Sequence, residues 1–228
     1  MAELEADSEW VADRDERDRE RRQRVERNLR DEAPLRAALA EQDFEVDSVA
    51  DLYNRRMNYE AVIPTLMEWF PRIENPAVKE SVARALTVRW ARPEAAPMML
   101  AELRRLDGSD EDRSLRFAVA NALSEVADDS VFDQVVELAR DRAYPIADRG
   151  ILVLALAKME KEREGAIEVL RDLLSDEVAP HAVTALGELR ATEARAEIEL
   201  FLRHDESWVR QEAKKALRKL DTAEARRS

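Results

Sequence analysis

The chain has 228 residues, 38% of them charged, with a formal net charge of -13, no cysteine, four glycines and eight prolines. That charge argues against a general affinity for nucleic acid or anionic membrane, because phosphate binding draws on clustered cations and counterion release. The lack of Cys excludes a disulfide framework, a thiolate nucleophile and a Cys-ligated zinc or iron–sulfur site.

So few Gly and Pro leave little material for the turns of a β-sandwich, while Ala, Leu, Arg and Glu dominate, so the expected fold class is all-α. The N-terminus lacks a signal-peptide apolar core, and no apolar run approaches the ~20 residues of a membrane span. A soluble, cytoplasmic protein of prokaryotic type is expected. The 31 Arg against 6 Lys read as a GC-rich genome or moderate salt adaptation rather than as a binding signature.

Residues 1–31 form a charged extension, and Asp13 to Arg22 hold nothing but charge. Pairs such as Asp13/Arg17, Asp15/Arg19 and Glu26/Arg30 favour a helix by about 0.2 to 0.5 kcal/mol each. That modest sum leaves a solvated helix and a disordered, fraying arm both open, with Trp10, Val11, Val25 and Leu29 as its only anchors. Residues 32–58 read as capping helices: a short one from Pro34 with Leu35, Ala38 and Leu39 inward, then one starting near Asp47 or Ser48 with Val49, Leu52 and Tyr53 inward.

From residue 59 to 221 the pattern repeats. Ala-Leu returns at Ala85-Leu86, Ala122-Leu123, Ala155-Leu156, Ala185-Leu186 and Ala216-Leu217, at intervals of 37, 33, 30 and 31. Seven residues before each Ala stands Val78, Leu115, Asp148, Val178 or Val209, so the third copy carries an acid in an otherwise apolar slot. First helices are expected over 59–70, 93–106, 131–140, 166–174 and 195–203, and second helices over 77–90, 114–127, 146–159, 178–189 and 208–220. The first helices carry apolar stripes such as Val62, Leu66 and Phe70. Asp112, Asp128 and Asp205 fall where N-caps or short turns belong. Ile151 to Ala157 is apolar all round, as in a helix enclosed by neighbours. Residues 222–228 are left as a tail.

A period of this length is that of stacked two-helix units sharing one core. The matching residues Val78, Lys79, Val82, Ala85 and Leu86, with Leu115, Arg116, Val119, Ala122 and Leu123, and Val209, Arg210, Ala213, Ala216 and Leu217, resemble HEAT repeats of the bacterial PBS-lyase HEAT-like type. Ile63-Pro64 and Ala96-Pro97 look like the kinking Pro of that family's first helix. The resemblance implies an armadillo-like, right-handed α-α superhelix of about five repeats. The tetratricopeptide and ankyrin signatures are missing.

Chemistry is thin. No phosphate loop, nucleophile triad or metal-spaced cluster appears, and no cofactor or small-molecule substrate is expected. His181 and His204 read as lone polar helix residues. They also fail the His-Glu pairs that a relative resembling deoxyhypusine hydroxylase would need.

The reading that remains is a non-enzymatic scaffold with a protein partner on its concave face, through Lys79, Arg84, Trp90, Arg116, Phe117, Asn121, Arg149 and Leu154. The cations among these would form either a partner-binding strip or local ion pairs, as Asp112 could make with Arg116 and Asp205 with Arg210. Trp69, Trp90 and Trp208 suit packing between repeats as well as recognition. The alternatives are a nucleic-acid-binding HEAT protein of the DNA glycosylase kind, against which the acidic balance argues, and an accessory subunit of a modifying enzyme such as a bilin lyase.

Overall fold

Ala, Leu, Arg and Glu at helical spacing leave few β-forming stretches, and the chain folds accordingly. The computed structural model describes residues 2–106, 109, 112–159 and 161–226, with side chains from Trp10 onward, and among them are twelve α-helices, short 3-10 turns and no strand. Two compact units divide it, Met1–Ala85 and Leu86–Ser228.

The first unit holds α1 (Ala2–Ala40), α2 (Ala50–Asn54), α3 (Ile63–Trp69) and α4 (Pro76–Ala85). The charged extension and the first capping helix are one helix, which runs unbroken past residue 31 and through Pro34. This corrects the boundary expected at residue 31 and the helix start expected at Pro34. The run of Glu, Arg and Ala propagates helix strongly enough to absorb the bond that Pro34 cannot donate.

Arg17 and Arg19 do not reach the carboxylates expected to partner them. Each instead donates through Nε to the backbone carbonyl four residues back, on Asp13 at 3.1 Å and Asp15 at 3.3 Å. Near its end α1 joins the core by burying Leu35 and Leu39, and Asn75 Nδ2 donates to Asn28 Oδ1 and Asp31 Oδ2.

Glu32 is buried with them, 4% exposed, and its Oε1 accepts from the Val49 N–H at 2.5 Å, directly before α2. It thereby serves the N-terminal donors of a five-residue helix too short to stand alone. Asp51 Oδ2 accepts from the Asp47 and Ser48 N–H groups, and Ser48 Oγ accepts from the Ala50 N–H at 3.2 Å, so of the two expected capping residues it is Ser48 that serves the start of α2 at Ala50. At the other end of the unit, the Tyr59 hydroxyl donates to the Ala85 carbonyl that closes α4, and burial pushes its pKa up to about 12.

The second unit stacks four helix pairs. These are α5 (Ala95–Arg105) with α6 (Arg113–Val126), α7 (Phe132–Arg140) with α8 (Ile146–Leu156), α9 (Arg163–Asp172) with α10 (Ala179–Glu188), and α11 (Arg195–Leu200) with α12 (Ser207–Ala225). Each second helix packs on its own first helix, and the second helices pack on one another in the order α6, α8, α10, α12. The Ala-Leu pairs make that row. Ala122, Leu123, Ala155, Leu156, Ala185 and Leu186 are fully buried, Ala letting backbones approach and Leu filling the space behind. Where α10 meets α12 even Ala is too large, since a Cβ on Gly187 would lie 2.7 Å from Ala216 Cα.

Several sequence expectations are corrected at element ends. Pro64 and Pro97 lie in the first turns of α3 and α5, where a missing N–H costs no helical bond; they start these helices and do not kink them. The helix expected to reach residue 90 stops at Ala85, and Trp90 stands in a 3-10 turn (Arg89–Ala91). The expected tail from 222 is helical to Ala225, while residues 227–228 lie outside the described residues. With few glycines to close helices, the non-glycine residues Asp43, Arg56 and Arg190 adopt left-handed φ of 65°, 51° and 52° after α1, α2 and α10.

Candidate interaction site

The cations at the starts of the second helices were one candidate for binding, and the structure places three of them inside. Arg149 is fully buried, Arg116 is 3% exposed and Lys79 is 6% exposed. Arg116 Nε pairs with Asp148 Oδ2 at 2.5 Å, and Arg149 Nη2 pairs with Asp176 Oδ1 at 2.7 Å. Each pair links one repeat to the next, in contrast to the local pairing expected for Arg116 with Asp112. Asp148 in the apolar slot is thereby explained as the acid that receives the preceding repeat's Arg.

Arg149 Nε also donates to the Ala139 carbonyl. Burial opposes ionisation of Asp176, but the Val178 N–H and the guanidiniums of Arg149 and Arg142 outweigh it and hold the carboxyl below its ordinary range. In the first unit the Lys79 ammonium sits over the Phe70 ring, 5.2 Å from its centroid. Arg210 Nη1 donates to the carbonyls of His204 and Asp205, so it is the Asp205 backbone that it engages. These cations hold the fold, and a buried cation cannot greet a partner.

Other charges are also spent between repeats. Arg104 pairs with Glu137, Arg140 with Asp172, Arg171 with Glu197, Lys158 with Glu125 and Lys219 with Glu188. Burial raises the cost of ionising Glu125, yet Lys158, Arg92 and Arg89 keep its carboxyl below its usual range.

Along the middle of α6, α8 and α10 the outward residues are uncharged, and charges stand only toward the ends, with Arg113 exposed one turn before Phe117. Phe117 is 44% exposed, and Asn121 follows one turn later, also exposed. On α8 Ile151 and Leu154 are half-buried, as is Ala157 just past its end, whereas Leu152, Val153, Ala155 and Leu156 are enclosed. The helix expected to be covered all round therefore keeps one outward line. On α10 the half-buried residues are Pro180, His181 and Thr184.

His181, read from sequence as incidental, lies against α8. A Cβ on Gly150 would stand 2.6 Å from its Cε1 and Nε2, so the ring occupies the space that only glycine leaves. Its Nδ1 is buried without a hydrogen-bond partner, and burial pulls its pKa below the ordinary value. A lone Gly inside an apolar helix was the available sequence signal for this contact.

Of the remaining expected residues, Arg84 is exposed in the first unit and pairs with Glu80 at 2.7 Å, and Trp90 is 42% exposed in its 3-10 turn. Trp208, 48% exposed, donates through Nε1 to Glu206, and Trp69 is half-buried. Among the described residues no cluster of three or more His, Asp or Glu is arranged for a metal, and no helix is long and apolar enough to cross a membrane.

Comparison with curated proteins yields no match. Comparison with family models matches residues 63–157, from α3 to the end of α8, to the family described as HEAT repeats. This is a chain that is all-α over its described residues and whose residues 63–157 match the HEAT-repeat family.

Proposed function

We propose that this protein is a non-catalytic interaction module that seats a segment of a protein partner on the second-helix face of α6, α8 and α10. The observation that supports this reading is the uncharged line of Phe117, Asn121, Ile151, Leu154, Pro180, His181 and Thr184 in a chain of which 38% is charged. An aromatic and aliphatic surface whose polar groups are amides, hydroxyls and an imidazole suits an apolar partner segment with a few hydrogen-bonding groups. HEAT repeats serve commonly as such platforms. The Ala-Leu spacing supports the short bacterial repeat type, and a cytoplasmic setting goes with this reading.

Lys79, Arg116 and Arg149 drop out of the proposed contact set, while Phe117, Asn121 and Leu154 remain and His181 joins them. A nucleic-acid partner has little support on this face, whose cations are confined to its ends, at Arg113 and at Lys158, which Glu125 already pairs.

The test replaces Phe117 with Ala and Leu154 with Asn in the full chain and compares recovery of bound protein from the source lysate with that of wild type. Loss of one partner with unchanged circular dichroism is expected. Equal recovery by both chains would overturn the proposal, and a recovered enzyme would identify the module as an accessory subunit.

A further inference from the structure

The other row of the second unit, made by the first helices, carries a surface of opposite character. Between α9 and α11 lies a recess of about 700 Å³ lined by Glu164, Glu168, Asp172, Glu193 and Glu197 with the single cation Arg171 and the apolar Ile167. Contiguous with it, sharing Arg171 and Glu197, is an apolar recess of about 340 Å³ formed by Leu174, Leu200 and Phe201 with Ser175 and His204. Leu200 is 73% exposed, the most exposed of the large hydrophobic residues among the described side chains. The Arg171–Glu197 pair bridges the two recesses. Glu164 and Glu168, by contrast, make no ion pair among the described residues.

A ligand for this groove needs cations set beside an apolar anchor at helical spacing. One segment of this same chain has that chemistry. Residues 19–30 of α1 contain six Arg against two Glu, the reverse of the balance of the whole chain. Val25, 51% exposed, and Leu29, 37% exposed, lie one turn apart on that helix, and Arg21 and Arg22 lie one turn before Val25. Helical spacing places all four along one side of α1.

We infer that α1 of one copy docks through Arg21, Arg22, Val25 and Leu29 into the groove between α9 and α11 of a second copy. The arginines face Glu164 and Glu168, and the apolar pair covers Leu200. Such a contact is heterologous, with a different patch on each side, so each copy offers one α1 and one groove and association either closes by mutual exchange or adds copies head to tail. Opposite charges across the contact make it sensitive to salt.

Sedimentation velocity on the full chain, from low to high micromolar concentration, tests this. The expected result is a weight-average mass that rises with concentration and falls back toward the monomer in high salt. Arg21→Glu/Arg22→Glu and Glu164→Lys/Glu168→Lys chains, each retaining wild-type helical circular dichroism, are expected to stay monomeric separately. Mixed together they are expected to form a one-to-one complex, because the first keeps an intact groove and the second an intact α1. Leu200→Ser is expected to weaken the wild-type association at least tenfold. A wild-type chain that stays monomeric throughout, or a mixture of the two charge variants that does not associate, overturns the inference.

Discussion

Arg116 of one repeat and Asp148 of the next form a buried ion pair, Nε to Oδ2 at 2.5 Å, with both side chains 4% exposed. Asp148 occupies a slot that is Val or Leu in the other repeats, so Asp148→Val makes the third copy more regular. It should nonetheless destabilise the protein by about 3 to 5 kcal/mol, because it leaves the Arg116 guanidinium buried without its counter-ion. Adding Arg116→Met should recover most of that loss. Urea unfolding of the two single variants and the double variant reads the coupling directly, and additive effects would refute the pairing.

The Arg149–Asp176 pair makes an acid-sensitivity prediction. The Asp176 carboxyl is held below its ordinary value of 3.8 in the folded chain, so on acidification the unfolded chain takes up that proton first. Its contribution is present above the ordinary value and is lost as pH falls through the folded one. Asp176→Asn should lower the urea midpoint at neutral pH and flatten the dependence of the midpoint on pH below 4.

Glu32 behaves in the opposite sense. Burial raises its pKa above 4.5 despite the bonds from Val49 and Ser48, so the folded chain holds this proton more tightly than the unfolded chain. Its favourable contribution is complete below 4.5 and disappears as pH rises through the folded value. Glu32→Gln keeps an acceptor for the Val49 N–H without the charge. It should raise the midpoint at neutral pH and leave it little changed near pH 4. A lower midpoint at pH 7 would mean that the ionised carboxylate is the better cap.

The His181 ring on Gly150 predicts a steric and a pH effect. Gly150→Ala places a Cβ 2.6 Å from the ring and should cost about 1 to 3 kcal/mol by overpacking, most of it recovered in the double variant with His181→Ala. His181 has a pKa below 6.5 in the fold, so the unfolded chain protonates first. Stability from this residue is present above 6.5 and is lost as pH falls below it. Thermal melts of wild type and His181→Leu across this range should diverge in slope, and identical slopes would sink the assignment.

Stability and recognition should separate on α6. Leu123 is fully buried and Phe117, on the same helix, is 44% exposed. Leu123→Asp should cost about 4 kcal/mol or more, since it removes core packing and buries a charge. Phe117→Ala should change stability by about 1 kcal/mol at most. Paired denaturation curves check this, and a comparable loss from both would place Phe117 in the core.

The ten repeat helices were legible because their apolar residues recur at helical spacing and because Ala-Leu marks the same place in every repeat, buried in the first four copies and half-buried at Leu217 in the last. The end of α4 at Ala85 was less legible, since Val88, Arg89 and Trp90 continue a pattern that the backbone abandons for a 3-10 turn. The first boundary failed for a related reason. A charged run and an apolar run share helical propensity, so nothing local marks residue 31 as a joint between them.

The candidate face was legible only in part. Phe117, Asn121 and Leu154 follow from helix position, but an Arg at the start of a helix looks the same in sequence whether it faces solvent or a buried acid 27 or 32 residues on. His181 gives no sign of its role until Gly150 is set beneath it.

The sequence by itself determined the all-helical class, the repeat period and the residues that fill the core, because these depend on propensity and on spacing along one helix. Tertiary structure alone decided which charges are buried, which carboxylate each arginine reaches and which uncharged residues stay outward. Ion pairing and desolvation depend on distances between helices that are a full repeat apart in the chain, and local pattern does not encode them.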